Sequence, residues 1–181
     1  HMVARSLMLV FFMTLSGRLG GDVQAAYTIG LRIEMTVIMI TFAVANACAT
    51  LVGQNLGARD VGRAWRSVRV SAAVAMITLW PLAITMYLAR DLIAGLFTAD
   101  PRVAAIASEY LIYSSMILSF YGLYFVAFRT LQAAGDMNSP MYISIGSAAL
   151  LGAPLGYYLT FWTDLGSTGM WIANLVYAIA N

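Results

Sequence analysis

Residues 35–58, MTVIMITFAVANACATLVGQNLGA, form an uncharged stretch of 24 residues that decides the fold class. Uncharged stretches of comparable length occupy 70–89, 110–128 and 137–163. A helix rises about 1.5 Å per residue, so each stretch is long enough to cross a hydrocarbon layer of about 30 Å. The alternation of apolar and polar residues typical of a transmembrane barrel is not found in them. The sequence therefore predicts an all-α integral membrane protein.

The composition of the whole chain excludes several other classes. Of its 181 residues 61% are hydrophobic and 10% are charged, and the mean hydropathy is +0.81. Soluble domains are about 45–50% apolar and about 25% charged, which excludes a water-soluble domain, and disorder needs low hydrophobicity. A single cysteine, Cys48, excludes a disulfide-stapled module. The net charge of +2 gives no sign of a nucleic-acid partner.

Turn residues divide the chain into six predicted transmembrane spans. They cover about 3–17, 25–52, 70–89, 103–128, 141–161 and 169–181. The first and last are too short for a full crossing, so we expect both to be truncated and the chain to be a piece of a longer membrane protein. A signal peptide is the alternative for the N-terminus, but residues 16–18 make a poor cleavage site.

The turns themselves carry helix-capping signals. After the second span, Gly57 is expected in the left-handed cap conformation and Asp60 as the cap of the next helix. Asp100 and Ser139 each precede a proline, which predicts an N-cap followed by proline at the first helical position.

Arginines are distributed unevenly between the two predicted sides of the membrane. One side has Arg18, Arg90 and Arg102, and the other has Arg5, Arg59, Arg63, Arg66, Arg69 and Arg129. The excess predicts that the termini and the 54–69 loop are cytoplasmic, in a multi-pass protein of the cell (inner) membrane. Arg63, Arg66 and Arg69 share a helix face, where we expect a topological anchor at anionic head groups; a specific lipid or partner site is the alternative.

The sequence offers no arrangement suited to catalysis. The only histidine is His1, and the six aspartates lie at span ends or in turns. These positions predict neither a catalytic pair of nucleophile and base nor a cluster of metal ligands. The chain is therefore predicted not to be an enzyme and to need no metal or organic cofactor.

Glu34 is the exception among the charged residues, because it lies about ten residues, or roughly 15 Å, into the second span. A carboxylate at that depth is costly unless it is protonated, paired or facing water, which makes Glu34 a candidate ion carrier. Arg32 is not its natural partner, since side chains two residues apart point about 200° apart around a helix. An interhelical ion pair that fixes packing, or a span that begins later, are the alternatives.

Other polar residues fall inside the predicted spans. Asn46, Thr50 and Gln54 recur every fourth residue and share one face of the second span, where they either pack against another helix or line a wetted pathway. Glu109, with Tyr113 one turn later, is either an outer-interface residue or a pathway contact.

Two prolines interrupt apolar spans. Pro81 and Pro154 each remove an amide donor, which frees the carbonyls of Ile77 and Leu150 and bends the helix. Broken helices often line cavities in membrane proteins, so both prolines are candidate hinges, although kinks also occur in inert spans.

Several motifs together carry a family resemblance. They are AAY at 25–27, LRIEM at 31–35, ATLVGQNLGARD at 49–60, LQAAGD at 131–136 and GMWIA at 169–173. In this order they resemble the multidrug and toxic compound extrusion (MATE) transporters over nearly the whole chain. The sequence departs from the family at Gln132, where arginine is frequent, and in having no acid between 116 and 128.

The resemblance implies a two-lobed exporter with six helices in each lobe around a central cavity, of which this chain is similar to the C-terminal lobe. It implies antiport of small cationic amphipathic compounds against protons or sodium ions by alternating access, with the lipid bilayer and a missing N-terminal lobe as partners. Tyr27 and Glu34 lie in the matching motifs and become pathway candidates.

Two alternative functions remain open. A lipid-linked saccharide flippase of the wider superfamily shares the architecture, but would carry more cavity-facing cations than Arg32 alone. A non-transporting membrane scaffold subunit would use its polar residues only to hold helices together.

Overall fold

A computed structural model describes the backbone of residues 2–181 and the side chains of residues 5–181. Within that range the regular structure is helical, which confirms the predicted all-α class. The helices are α1 (Met2–Leu19), α2 (Gly21–Gly57), α3 (Val61–Leu88), α4 (Arg90–Phe97), α5 (Pro101–Ala133), α6 (Asn138–Ser147), a π-helical turn (Ala148–Gly152), α7 (Ala153–Phe161) and α8 (Ser167–Ala180).

Four helical segments in the described range are long and apolar enough to cross a membrane. They are α2, α3, α5 and the continuous segment Asn138–Phe161, which joins α6, the π-helical turn and α7. The helices extend beyond the uncharged stretches, because charged residues such as Arg63 lie on helical turns past the predicted ends. The short α4 was not predicted. Six crossings, with truncated first and last spans, stay a prediction.

The turn between α2 and α3 differs from the one expected. Gly57 is the last residue of α2, and Arg59 is the residue with positive φ, at 60°. The Asp60 amide donates a 2.9 Å hydrogen bond to the Asn55 carbonyl. Because this bond closes the turn, the chain changes direction at Arg59 and not at Gly57. Asp60 caps α3 as predicted, accepting from the Arg63 amide at 2.9 Å.

The two proline-associated helix starts also differ from each other. Asp100 accepts from the Arg102 amide at 2.9 Å with Pro101 in the first turn, as predicted for α5. Ser139 does not cap α6. Asp136 takes that role by accepting from the amides of Asn138 and Ser139, at 3.1 and 3.0 Å, so the helix starts before the proline.

Two long parallel helices, α2 and α5, form the centre of the fold. Glu34 contacts Ser114 towards their N-terminal ends, and Cys48 contacts Thr130 towards their C-terminal ends. On one side they pack on α3 around Leu79 and neighbouring buried residues. On the other side α1 and α8 pack against them. The Glu34 position therefore lies between two apolar cores, away from both helix ends.

One glycine decides how closely α2 and α5 approach. A Cβ atom at Gly30 would lie 2.0 Å from Cδ1 of Tyr110, well inside van der Waals contact. The absence of a side chain at this position lets the Tyr110 ring lie directly on the α2 backbone. This contact brings the Tyr110 hydroxyl to the next turn of α2, where Glu34 is located.

Candidate functional site

Glu34 is buried in the interior of the described fold, with 5% of its surface exposed. Its Oε2 atom accepts hydrogen bonds from the Tyr110 hydroxyl at 2.7 Å and from the Ser114 hydroxyl at 3.1 Å. The two donors are four residues apart on α5 and so lie on one face of that helix. The carboxylate also interacts with the phenol of Tyr121, three turns further along the same face. Three hydroxyl groups of one helix thus converge on one acid of another.

Aromatic rings close one side of this acid. Tyr27, one of the predicted pathway residues, packs edge-on against Tyr110 with ring centroids 5.5 Å apart. The Trp171 ring of α8 lies 4.8 Å from Tyr110 and 5.7 Å from Tyr27. All three rings are almost fully buried, so solvent does not reach Glu34 from this side.

On its other side Glu34 faces a small cavity of about 50 Å³, which we call the Glu34 cavity. Its polar walls come from Arg5, Tyr27, Glu34, Tyr121, Asn174 and Tyr177. One water molecule occupies about 30 Å³ in the liquid, so the cavity has room for one or two. The buried Tyr177 hydroxyl has no hydrogen-bond partner among the described residues, so a water in the cavity would satisfy it.

Arg5 supplies the positive charge of the Glu34 cavity. Its guanidinium carbon lies 5.6 Å from the ring centroid of Tyr121 and 5.4 Å from that of Phe125, a cation–π arrangement with both. In the described structure none of its nitrogens comes within 4.0 Å of the Glu34 carboxylate. The acid therefore has a nearby cation and hydroxyl donors, and among the side chains of residues 5–181 the interhelical ion pair considered above is not formed.

This arrangement can bind and release a proton. The hydroxyl donors and Arg5 stabilise the ionised carboxylate, whereas burial opposes charge. The hydrogen bonds that stabilise the ionised form join α2 to α5, so they depend on the distance between these helices. Among the side chains of residues 5–181, no three of His, Cys, Asp or Glu are grouped closely enough to hold a metal ion.

The other predicted residues of α2 lie away from this site. Arg32, Asn46, Thr50 and Gln54 are exposed and follow one face of the helix, opposite to Glu34. Thr50 donates to the carbonyl of Asn46 at 3.2 Å, a bond within the helix itself. Gln54 lines a groove that the end of α2 forms with the start of α3.

Glu109 and Tyr113 lie on α5 but face α8 and its neighbours. The Thr168 hydroxyl, in the first turn of α8, donates to Oε1 of Glu109 at 2.5 Å. Tyr113 is partly buried against the aromatic core. The Glu109–Thr168 bond ties two helices together, which is a structural role that the sequence did not indicate.

The two prolines have different surroundings. Pro81 is exposed inside α3, next to Trp80, whose indole donates to the carbonyl of Ser119 at 3.3 Å. Pro154 follows the π-helical turn, in which the Ala153 amide bonds to the Ala148 carbonyl five residues earlier. The wider turn shifts the hydrogen-bond register just before the proline, and the bend expected at Pro154 stays a prediction.

Sequence inspection missed four members of the site: Arg5, Tyr110, Ser114 and Tyr121. The three α5 residues follow positions i, i+4 and i+11, which places them on one helix face, and this hydroxyl stripe was a usable signal. Arg5 was assigned to the membrane boundary because it lies near the chain start. Only the packing of α1 shows that it faces Glu34.

Comparison with known proteins shows the family of this chain. A family model described as MatE matches residues 1–158. The chain belongs to this family.

The MATE relationship extends to individual proteins. A probable multidrug resistance protein NorM of Xanthomonas campestris pv. campestris is 32% identical over 162 residues, which cover 90% of this chain and 35% of the relative. The multidrug resistance protein NorM of Vibrio cholerae serotype O1 is 28% identical over 163 residues, 87% of this chain and 36% of the relative. The chain thus spans about a third of the length of these relatives.

A solved MATE structure shows the same fold. A crystal structure of MATE in the bent conformation superimposes with a TM-score of 0.90 at 19% identity and covers 99% of this chain and 40% of that one. The family model and the NorM relatives confirm the MATE resemblance seen in the sequence, and the chain is a multi-pass membrane protein of a transporter family, not an enzyme.

Proposed function

We propose that this chain is one lobe of a multidrug efflux transporter, and that Glu34 binds and releases its coupling ion. The observation that supports this most directly is the buried carboxylate bonded to Tyr110 and Ser114 beside the Glu34 cavity. The relatives named as multidrug resistance proteins support efflux as the activity. Antiport of cationic amphipathic compounds against protons or sodium ions, by alternating access, is the full form of the proposal.

Coupling requires that the outward and inward states bind the ion with different affinities. While Glu34 is ionised, it accepts from the hydroxyls of Tyr110 and Ser114 and thereby holds α5 against α2. Once protonated, the carboxyl group carries a donor of its own, and one of the two hydroxyls must turn to another partner. Proton binding therefore changes the contact between the two central helices of the lobe.

The surroundings of Glu34 favour the proton over sodium as the coupling ion. A proton joins a carboxylate oxygen directly, whereas a sodium ion needs several oxygen ligands around it. The Glu34 cavity offers only about 50 Å³ for them, and the Arg5 guanidinium forms part of its wall. A metal cation would have to share this small space with a fixed positive charge.

The exposed face of α2 is the proposed substrate side. Arg32, Asn46, Thr50 and Gln54 lie on it with small residues between them. A second lobe, N-terminal to this one, would cover this face and enclose a central cavity for small cationic drug-like compounds. The termini and the 54–69 loop would be cytoplasmic in the cell (inner) membrane, as the arginine distribution predicts.

Drug efflux from cells that express the full-length protein tests the proposal. The proton gradient and the sodium gradient are collapsed separately, with a protonophore and a sodium ionophore. Loss of efflux only with the protonophore supports the proton as the coupling ion. Loss of efflux only with the sodium ionophore shows that sodium is the coupling ion instead. No efflux with both gradients intact contradicts the transporter proposal and favours the flippase or scaffold alternatives.

A further inference from the structure

A polar groove lies between the C-terminal end of α2 and the N-terminal end of α3. The groove has a volume of about 470 Å³. Arg63 and Arg66 line one wall, Asn55 and Ser67 lie along its floor, and Leu51 and Val70 extend it towards the membrane. It is separate from the Glu34 cavity, and Gln54, which lies on the proposed substrate face of α2, also lines it.

Nearby acids neutralise only part of the positive charge of this groove. Asp60 is the adjacent carboxylate, and it is engaged by the Arg63 amide at 2.9 Å and by Arg63 Nε at 4.0 Å. Both Arg63 and Arg66 are exposed. In the part of the chain that the structure describes, no carboxylate lies within 4.0 Å of Arg66. A planar guanidinium without a partner is suited to a phosphate group.

The floor of the groove is held in place by its own hydrogen bonds. The Asn55 amide donates to the Leu51 carbonyl at 2.8 Å and to the Ser67 hydroxyl at 3.4 Å. The Ser67 hydroxyl donates in turn to the Arg63 carbonyl at 3.0 Å. These bonds tie the end of α2 to the start of α3, so the groove does not have to be ordered by its ligand.

The groove also changes polarity along its length. Leu51 lies one turn deeper in α2 than Asn55, and Val70 lies about 10 Å deeper along α3 than Arg63. Both are exposed, at 46% and 55%. The groove therefore has positive charge at the membrane surface and apolar side chains towards the membrane interior. This order matches a phospholipid, in which the charged phosphate is followed by the acyl chains.

We propose that this groove is a binding site for the phosphate head group of an anionic phospholipid. The guanidinium groups of Arg63 and Arg66 bind the phosphate, and Leu51 and Val70 contact the upper part of an acyl chain. The predicted cytoplasmic position of the 54–69 loop places the groove at the leaflet that is rich in anionic lipid.

The test compares two arginines of the same helix. The full-length protein in detergent is titrated with phosphatidylglycerol, with phosphatidylcholine of the same chain length and with inorganic phosphate, and bound lipid is counted by native mass spectrometry. Arg66→Gln should weaken phosphatidylglycerol binding about fivefold. Arg69→Gln makes the same change of charge one turn away, outside the groove, and should alter binding less than twofold.

Three results would overturn the proposal. Equal losses in Arg66→Gln and Arg69→Gln would mean general attraction to a positive surface. Equal binding of phosphatidylcholine would remove the charge requirement. Displacement of phosphatidylglycerol by inorganic phosphate at similar concentration would make the groove a site for free phosphate. Both arginines are exposed, and an unchanged melting temperature confirms that each variant is folded.

Discussion

The Tyr110 hydroxyl donates a 2.7 Å hydrogen bond to Oε2 of Glu34, and this bond joins residues 76 positions apart in the chain. It links the two central helices at the only acid that the described structure buries. Because the bond depends on the spacing of α2 and α5, a movement of one helix against the other changes the environment of the acid. The proposed ion coupling rests on this dependence.

Replacing Glu34 by glutamine should abolish ion coupling without unfolding the protein. The amide keeps the size of the side chain and an oxygen that accepts from Tyr110, but it cannot bind a proton in the physiological range. We expect efflux to fall at least about tenfold, within the usual range of coupling energies. Glu109→Gln is the matched control, since its oxygen still accepts from Thr168, and efflux should be retained. Unchanged efflux in Glu34→Gln would remove this acid from the mechanism.

Arg5 should act through Glu34 and not independently. Arg5→Gln removes the cation of the Glu34 cavity and should reduce efflux in the otherwise unchanged protein. In the Glu34→Gln background the same substitution should add little, because the group on which the charge acts is gone. Measuring all four combinations gives the coupling between the two residues. Additive losses would show that Arg5 serves another purpose, such as packing on Phe125.

Gly30→Ala should destabilise the lobe. The new methyl would lie 2.0 Å from the Tyr110 ring, and overpacking of this kind costs about 1–3 kcal/mol. Gly53→Ala on the same helix is the control, since no atom lies within 4 Å of its added methyl. Alanine there should leave the melting temperature unchanged or raise it, because it is the better helix former. Equal melting temperatures of the two variants would show that α5 can move away from α2 without loss.

Asp136 should stabilise the start of α6 in a pH-dependent way. Hydrogen bonds from the Ser139 hydroxyl and amide, and from the Asn138 amide, lower the pKa of Asp136 below its ordinary value. A carboxyl group whose folded pKa is lowered contributes stability above its unfolded pKa of about 3.9 and loses it as the pH falls through the folded value.

Asp136→Ala is therefore expected to lower the melting temperature at pH 7, with the difference from the unchanged protein disappearing as the pH falls below about 3.9. Asp164→Ala provides the comparison, because Asp164 is also an exposed acid but lies in the turn between α7 and α8. A difference for Asp136→Ala that stays constant down to pH 3 would show that the cap acts without its charge.

The predictions from the sequence succeeded where a local property of the chain was sufficient. The uncharged run at 35–58 needs no partner to favour a helix in lipid, and all of it except Ala58 lies inside α2. Asp60 and Asp100 cap helices that begin at the next residue, so their roles could be inferred from adjacent residues alone. At 139–140 the same kind of inference was wrong, since Asp136 and not Ser139 accepts hydrogen bonds from the amides in the first turn of α6.

The sequence by itself determined that the chain is helical, that it belongs in a membrane, and that Glu34 is an unusual acid within it. Hydropathy, segment length and the position of one charge are properties of consecutive residues. Tertiary structure decided what surrounds that acid: Tyr110 and Ser114 from α5, and Arg5 from α1, which the sequence had assigned to a membrane boundary. Their meeting depends on how three helices rotate and slide against one another, and that is set by close contacts such as Gly30 with Tyr110, which no local pattern encodes.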